Sequence, residues 1–465
     1  MEVTYMEDNY HTFRNQLENK TIKEFTKSID KNKLTFESSY ATGIISFNAH
    51  HIIEMEVINK KDAKSEFYIH FQYNNNAHAL ALYQEFQDAL IQTKKKHTLS
   101  VLLCCSGGLT TSYFAMLLNE GAQAISLDYH FDAMSFDHLY HKGNNYDVIL
   151  LAPQISYKHK EAESALRHKL IIDIPASIFA RYDVGAMFHH IASSLETYKK
   201  RDTSPIDLPI KKDIHNTTTI LVLGYIRHMD KTRIVYRIYD HNQILLTNEV
   251  IKSHLRLEDM RDIITMILTL YDIKMVGIAM PGIINNGTPY SESDTFSYEN
   301  VYEYFKNQFD IPIVLNNDVN AMAVGQYLTQ DETENLSFLF QPRGAIYSGI
   351  GNIIDGKLHT GHAHVSGESF LVMKHANCSP QDLYTTEEGE IKMVACALNA
   401  LIAMVAPDKI IYYCEQIPDT KKLIDALTVD IPENVMPVIE KTIHIKDYML
   451  LGELYLAAQY YHEHL

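Results

Sequence analysis

The chain has 465 residues, a formal net charge of −17 and an ordinary globular composition, 46% hydrophobic and 21% charged. Such a length calls for about three domains, and the acidic balance argues against a nucleic-acid partner, whose phosphates need a basic face. The five cysteines (Cys104, Cys105, Cys378, Cys396 and Cys414) follow no disulfide or zinc spacing, which fits a reducing compartment. The first residues lack a basic start and an apolar stretch, so no signal peptide is expected. The longest apolar segment, about Met393 to Val405, is too short to span a bilayer. The expected location is therefore the cytoplasm, with no direct membrane insertion.

Residues 1–96 read as a small α+β module. A helix is expected over Tyr10–Ile29, a pair of strands across Gly43–Ile58 and a strand over Phe67–Phe71. A second helix, Ala77–Ile91, would turn Leu80, Leu82, Phe86 and Leu90 inward. No chemical motif is found here, and His50, His51, His70 and His78 are too dispersed for a metal site. The polar stretch Gln92–His97, with the run Lys94-Lys95-Lys96, reads as a solvated linker.

The apolar run Val101-Leu102-Leu103-Cys104 then passes into Cys105-Ser106-Gly107-Gly108-Leu109-Thr110-Thr111-Ser112, followed by a helical pattern (Tyr113, Phe114, Met116, Leu117, Leu118). That is a strand, a phosphate-sized loop and a helix N-terminus. Backbone N–H groups in such a loop converge on one point, and the helix dipole adds partial positive charge there. A thiol at that point has its pKa lowered and can carry a phosphoryl group held by Ser106, Gly107, Gly108, Leu109, Thr110, Thr111 and Ser112. Taken alone, the segment is equally well a buried cysteine at a strand end with a chance loop after it.

Further along, Tyr146-Asp147-Val148-Ile149-Leu150-Leu151-Ala152-Pro153-Gln154-Ile155-Ser156-Tyr157 reads as another buried strand and its exit. Lys169–Pro175 reads as a fourth strand and Val184–Leu195 as a closing helix. The two motifs together, in this order, resemble the IIB component of the lactose/cellobiose class of bacterial phosphotransferase systems. Its phosphocysteine loop runs Cys-Ser-x-Gly-x-Ser/Thr-Thr/Ser-Ser, and its later signature is Leu-Leu-Gly-Pro-Gln-x-x-Tyr; only the glycine has changed here, to Ala152. The resemblance covers about Thr98–Leu195 and makes Cys105 the phosphoryl acceptor, with Cys104 a packing residue of the strand. The similar loop of low-molecular-weight tyrosine phosphatases needs an arginine where Thr111 stands, so transfer or storage is favoured over hydrolysis.

After a second polar linker, Thr197–Asn216 with Pro205 and Pro209, strands and helices alternate to the end: Thr219–Gly224, Arg233–Tyr239, Leu257–Leu270, Met275–Ala279, Val301–Phe309. Within this segment Val276–Met280 ends in Pro281-Gly282, and a strand from Ile311 ends in Asn317-Asp318 and continues into a helix through Val319-Asn320-Ala321. Ile353–Leu358 reads as a tight hairpin, followed by Gly361–Gly367 and Glu368. A carboxylate at a strand end beside a helix start can accept a hydroxyl proton, and asparagine can hold sugar hydroxyls by donating and accepting at once. Each of these elements singly is also an ordinary cap or turn. Together they resemble the ROK family, which has an actin/hexokinase-like fold; the resemblance makes Asp318 the catalytic base and Asn317, Asp318 and Glu368 the hexose contacts.

The departures from that family are several. Its opening Asp-x-Gly-Gly-Thr phosphate turn is replaced by Leu223-Gly224-Tyr225-Ile226-Arg227-His228, and its second turn, Gly-Thr-Gly, by Pro342-Arg343-Gly344. Its adenosine-side Gly-Gly becomes Tyr412-Tyr413-Cys414-Glu415. Its zinc-loop cysteines are missing; Cys378 stands alone. Any Cβ at a phosphate loop blocks the backbone's approach, so these losses argue against ATP-dependent kinase activity. His359, His362, His364 and His375 lie close together with Cys378, but they do not align with the zinc ligands, and neither a metal nor a cofactor is expected.

The expected fold class is α/β and multidomain: a small α+β module (1–96), a Rossmann-like four-stranded parallel-sheet IIB domain (98–196) and an actin/hexokinase-like ROK body (217–465). Three functions stay open. The first is a phosphotransferase-system protein that accepts phosphate on Cys105 and senses a sugar through a pseudokinase body. The second passes that phosphate to a sugar with Asp318 as general base. The third is a non-catalytic scaffold or transcription-associated regulator, although no basic recognition helix is found. The implied partners are a phosphohistidine donor protein, a sugar or sugar phosphate and a separate IIC channel; by analogy with ROK proteins, a homodimer is expected.

Overall fold

The computed structural model describes residues 2–61, 64–94, 98–107, 109–125, 127–166, 169–198, 206, 208–228, 231–290, 299–331, 333–342, 345–373, 383, 387–417 and 419–464. Of the positions singled out above, Lys95, Lys96, Gly108, residues 199–205 and 207 of the second linker, Arg343, Gly344, His375 and Cys378 lie outside them. The chain divides into two compact units, Met1–Ser204 with Val250–Lys252, and Pro205–Glu249 with Ser253–Leu465.

The first unit opens with α1 (Glu2–Asn19) and an antiparallel meander of β1 (Thr26–Asp30), β2 (Lys33–Glu37), β3 (Ala41–Phe47), β4 (Ile52–Asn59) and β5 (Ser65–Gln72). The helix expected as far as Ile29 stops at Asn19, and Thr26–Asp30 is a strand instead. Alternation in β3 and β4 buries every second side chain, and α2 (Asn76–Thr93) covers that face with Leu82, Phe86 and Leu90. Gly43 is needed for this contact, because a Cβ there would lie 2.7 Å from Phe86 Cζ. Asn75 starts α2 by accepting the His78 N–H at 2.8 Å.

Four parallel strands follow in the order β7-β6-β8-β9: β6 (Leu99–Cys105), β7 (Tyr129–Ser135), β8 (Val148–Leu151) and β9 (Leu170–Asp173). The helices here are α3 (Leu109–Ala124), α4 (Leu139–Lys142), α5 (His159–Ala165), α6 (Ala176–Arg181) and α7 (Val184–Tyr198). Both faces of the sheet are covered, as parallel strands require. Val101, Leu103 and Leu150 pack with α3 and α7 on one face. Leu102, Cys104 and Ile149 pack with Ala162 of α5 on the other.

The second unit repeats one pattern twice. Its first sheet runs β12-β11-β10-β13-β16: β10 (Thr219–His228), β11 (Lys231–Asp240), β12 (Gln243–Lys252), β13 (Met275–Met280) and β16 (Ile313–Asn317). Its second runs β19-β18-β17-β20-β21: β17 (Leu336–Gln341), β18 (Gly349–Ile354), β19 (Lys357–His359), β20 (Lys409–Cys414) and β21 (Val438–Lys441). In each, the opening strand pairs antiparallel with the second, and the fourth and fifth run parallel to it. A small hairpin, β14 (Ile283–Asn285) and β15 (Thr288–Tyr290), follows β13. The expected Asp-Gly hairpin is present between β18 and β19, with Asp355 and Gly356 at φ +50° and +72°.

The helices of this unit are α8 (Leu257–Leu270), α9 (Val301–Lys306), α10 (Asp318–Leu328), α11 (Phe370–Met373), α12 (Glu387–Met404), α13 (Thr420–Leu427) and α14 (Ile445–His464). The last helix of each half crosses to the other: α10 packs beneath β17 and β18, and α14 beneath β10 and β13. Where α10 meets α14 the backbones nearly touch. A Cβ on Gly325 would lie 1.9 Å from the Tyr448 carbonyl oxygen, and one on Gly452 would lie 1.8 Å from that of Ala321. Arg237 of β11 pins the start of α14 through Asp447 at 2.8 Å, with both side chains 2% exposed. Gly452→Ala therefore forces the two helices apart, at a cost on the order of 3 kcal/mol. Gly107→Ala, whose Cβ meets nothing within 4 Å, leaves stability unchanged. Chemical denaturation of the two variants checks the contrast.

Candidate functional site

Two places carry chemistry. The first is the carboxyl edge of the four-stranded sheet, where Cys105 ends β6 opposite Ser135 of β7. Ser106 and Gly107 follow at the surface, and α3 begins at Leu109. The loop therefore lies against a helix N-terminus, with its partial positive charge. The hydroxyls divide between two directions. Thr110 and Ser112 are exposed, whereas Thr111 is fully buried with Oγ1 3.1 Å from Cys105 Sγ. Cys104 packs among Leu102, Phe136 and Leu151, where burial pushes its thiol up to about 12.

Sequence reasoning passed over a cation at this rim. Lys158, beyond the end of β8, sets its ammonium 4.4 Å from the ring centroid of Phe136, the residue directly after Ser135. Its neighbour Tyr157 is 79% exposed. The only sequence signal was a lysine next to the Pro-Gln-x-x-Tyr segment, which by itself reads as a solvated charge.

The second place lies in the second unit, where segments far apart in sequence converge. Asn317, last residue of β16, caps α10 by accepting the Asn320 N–H at 2.8 Å, and donates through Nδ2 to the Gly282 carbonyl at 2.9 Å. Its amide thus ties the Pro-Gly turn to the helix start. Asp318, 4% exposed, accepts the Val319 N–H at 2.9 Å in the first turn of α10. Gly349 opens β18 against Val319 and forms an antiparallel bridge with Glu368. Gly367, at φ +90°, has room for no Cβ, since one would lie 1.7 Å from the Ile350 carbonyl oxygen. Glu368 is thus bridged to a glycine that packs against Val319, the residue after Asp318. Burial pushes the Glu368 carboxyl up to about 7, so near neutrality it divides between acid and carboxylate. His362 and His364 form a short turn against β14 beside the same Gly282 segment. Among the described residues, no group of three or more His, Cys, Asp or Glu is placed to hold a metal.

The segments that departed from nucleotide-binding turns are filled by side chains. Tyr225 is buried within β10, whose ladder with β11 continues without a break to His228. Met449 occupies the space a Cβ on Gly224 would take. At the end of β20, buried Tyr413 donates its hydroxyl to Glu415 at 2.6 Å, and the Tyr412 hydroxyl lies 2.9 Å from that of Thr420. Arg343 and Gly344 lie outside the described residues.

Comparison with known proteins follows the same division. Residues 100–181 match the family described as PTS system, Lactose/Cellobiose specific IIB subunit, and residues 231–379 match the ROK family. The chain carries a IIB segment and a ROK segment. Among solved structures, a ROK family protein from Streptococcus pneumoniae in complex with sucrose is 19% identical over 53% of this chain and 100% of its own, with a TM-score of 0.39. A ROK family glucokinase from Streptomyces griseus with glucose and AMPPNP is 16% identical over 52% and 99%, with a TM-score of 0.40. The lactose-specific IIB component domain from Streptococcus pneumoniae is 22% identical over 23% and 99%, with a TM-score of 0.19. No helix among the described residues is long and apolar enough to cross a membrane.

One residue behind the ROK-type site was also missed: Glu453, on α14, fully buried. Its Oε1 accepts Asn316 Nδ2 at 2.9 Å, one residue before Asn317, while Oε2 finds no hydrogen-bond partner of good geometry among the described residues. The sequence signal was a single carboxylate inside the apolar run Met449–Leu454. Burial pushes this carboxyl from its ordinary 4.5 up to about 8. Between those values the folded chain holds a proton that the unfolded chain has released, so stability falls as pH rises across the window. Glu453→Gln should flatten that decline. Unfolding free energies measured at several pH values across the window check this, and an unchanged slope contradicts it.

Proposed function

We propose that this protein is a phosphotransferase-system component in which Cys105 accepts a phosphoryl group while the ROK-type body binds a sugar without using ATP. The observation that carries the reading is the position of Cys105. It ends a parallel strand at the mouth of a loop and helix N-terminus, inside the segment that matches the IIB family. Loop amides and the exposed Thr110 and Ser112 hydroxyls supply donors to phosphate oxygens, and the helix N-terminus favours their charge. No guanidinium stands at position 111 to stabilise water attack, so the phosphocysteine is a carrier rather than a hydrolytic intermediate. The donor is a phosphohistidine of a partner protein.

Support for sugar binding comes from Asp318 at the start of α10 and from Glu368, bridged to the Gly349 that packs against the adjacent Val319, in the segment that matches the ROK family. Tyr225 within β10 and Tyr412 and Tyr413 near the end of β20 oppose nucleotide use, because in the ROK resemblance compact phosphate turns stand at these positions. A second reading is favoured by Asp318 itself. A buried carboxylate at a helix start is suited to deprotonate a hydroxyl, which would make the sugar the acceptor of the Cys105 phosphate.

Label transferred from phosphoenolpyruvate through the general phosphotransferase proteins should appear on the full chain. It should vanish in Cys105→Ser and persist in Cys104→Ser. Calorimetry with Mg-ATP should be flat, and micromolar binding would overturn the pseudokinase part. Asp318→Asn should weaken hexose binding only modestly, since the amide still bonds hydroxyls. In the transferase reading the same variant keeps sugar affinity but abolishes sugar phosphate formation.

A further inference from the structure

We propose that the Thr111 hydroxyl positions and stabilises the Cys105 sulfur during phosphoryl transfer, rather than contacting the phosphate. The proposal rests on Cys105 being the phosphoryl carrier. Thr111 is fully buried in the first turn of α3, and its Oγ1 lies 3.1 Å from Cys105 Sγ, itself 2% exposed. The flanking hydroxyls of Thr110 and Ser112 face outward, as do Ser106 and Gly107. The loop is thereby divided: its open side is left for phosphate oxygens, and one hydroxyl behind it is aimed at the nucleophile.

The donor in this contact follows from the charge state. A thiolate has no proton to give, so with sulfur ionised the hydroxyl donates. In the loading step the thiolate attacks phosphorus of a phosphoimidazole. The S–P bond forms as the N–P bond breaks, and the released electron pair goes to the imidazole nitrogen, which takes up a proton from solvent. In the unloading step an acceptor oxygen bonds phosphorus, its proton passes to a base, and the S–P electron pair returns to sulfur. Sulfur is neutral in phosphocysteine and negative at the start of loading and the end of unloading. A hydrogen bond to it is therefore stronger in the charged states: it raises the thiolate fraction available for loading and stabilises sulfur as the leaving group in unloading. Burial strengthens the effect by keeping water from competing for the sulfur.

The same position explains why serine alone is a conservative replacement. Valine matches threonine in shape but has no hydroxyl, so Thr111→Val removes the donor with little change in packing. The test is alkylation of the full chain by iodoacetamide across pH, with Cys105 distinguished from Cys104 by fragment mass spectrometry. Thr111→Val should move the pH midpoint of Cys105 alkylation upward, cutting the rate near neutral pH by about tenfold and leaving the limiting rate at high pH intact. Thr111→Ser should track the parent chain. Should the valine variant not fold, Thr111→Ala against Thr111→Ser gives the same comparison. An unmoved midpoint in the valine variant overturns the proposal, as does a serine variant shifted as far as valine, which would mark a packing effect. The assay uses no phosphodonor. A midpoint shift in a chain that never takes up phosphate would overturn the carrier reading and the role in transfer, while leaving the hydroxyl–sulfur bond standing.

Discussion

The close crossing of α10 and α14 is the constraint on which the second unit depends. Each helix belongs by sequence to one half of the unit and packs under the sheet of the other, so neither half closes its core alone. The crossing is narrow because Gly325 and Gly452 face backbone at distances no side chain tolerates. Helical glycine normally costs up to about 1 kcal/mol relative to alanine, and here the contact it permits offsets that cost. The Arg237–Asp447 pair fixes the first turn of α14, with Thr247 and Tyr239 each accepting a further guanidinium N–H. Its desolvation makes it a device for orientation more than a net source of stability.

That crossing also sets the site. Asp318 and the Asn317 cap stand at the open end of α10, so the angle of the helix fixes where the carboxylate lies relative to Gly349 and Glu368. Behind them, the buried Glu453 reaches from α14 to Asn316 and joins the crossing helix to the strand that delivers Asn317. The first unit reaches its site differently. There the sheet edge and the start of α3 determine the position of Cys105, and one buried hydroxyl lies against its sulfur.

Elements with strong alternation or a clear apolar face were legible from the sequence: β3, β4, β5 and α2, the strand and helix around Cys105, and β13 and β16 with their motifs. The two misread segments have physical explanations. Thr26–Asp30 is a mostly exposed edge strand whose pairing with β2 defines it, so no pattern of its own announced it, and the polar α1 was carried through it. The ladder of β10 and β11 extends past Gly224 because strand pairing, not local preference, carries it to His228. Site residues were legible where chemistry demands a run of neighbours, as at Cys105–Ser112. They were not where two lone residues meet through the fold. Gly325 and Gly452 each read as a helix penalty, and Glu453 as an intruder in an apolar run. Thr111 was readable as one hydroxyl among several, but its burial against sulfur followed only from the helix phase.

The central claim is that a phosphoryl-carrying cysteine and a sugar-recognising body share one chain without kinase chemistry. Phosphorus NMR of the full protein, loaded from phosphoenolpyruvate through the general phosphotransferase proteins and then mixed with hexoses, tests it most directly. The account predicts a sulfur-linked phosphate resonance that persists when hexose is added and never forms in Cys105→Ser. Absence of that resonance from the parent chain, or its replacement by a sugar phosphate signal in the purified protein, would contradict it.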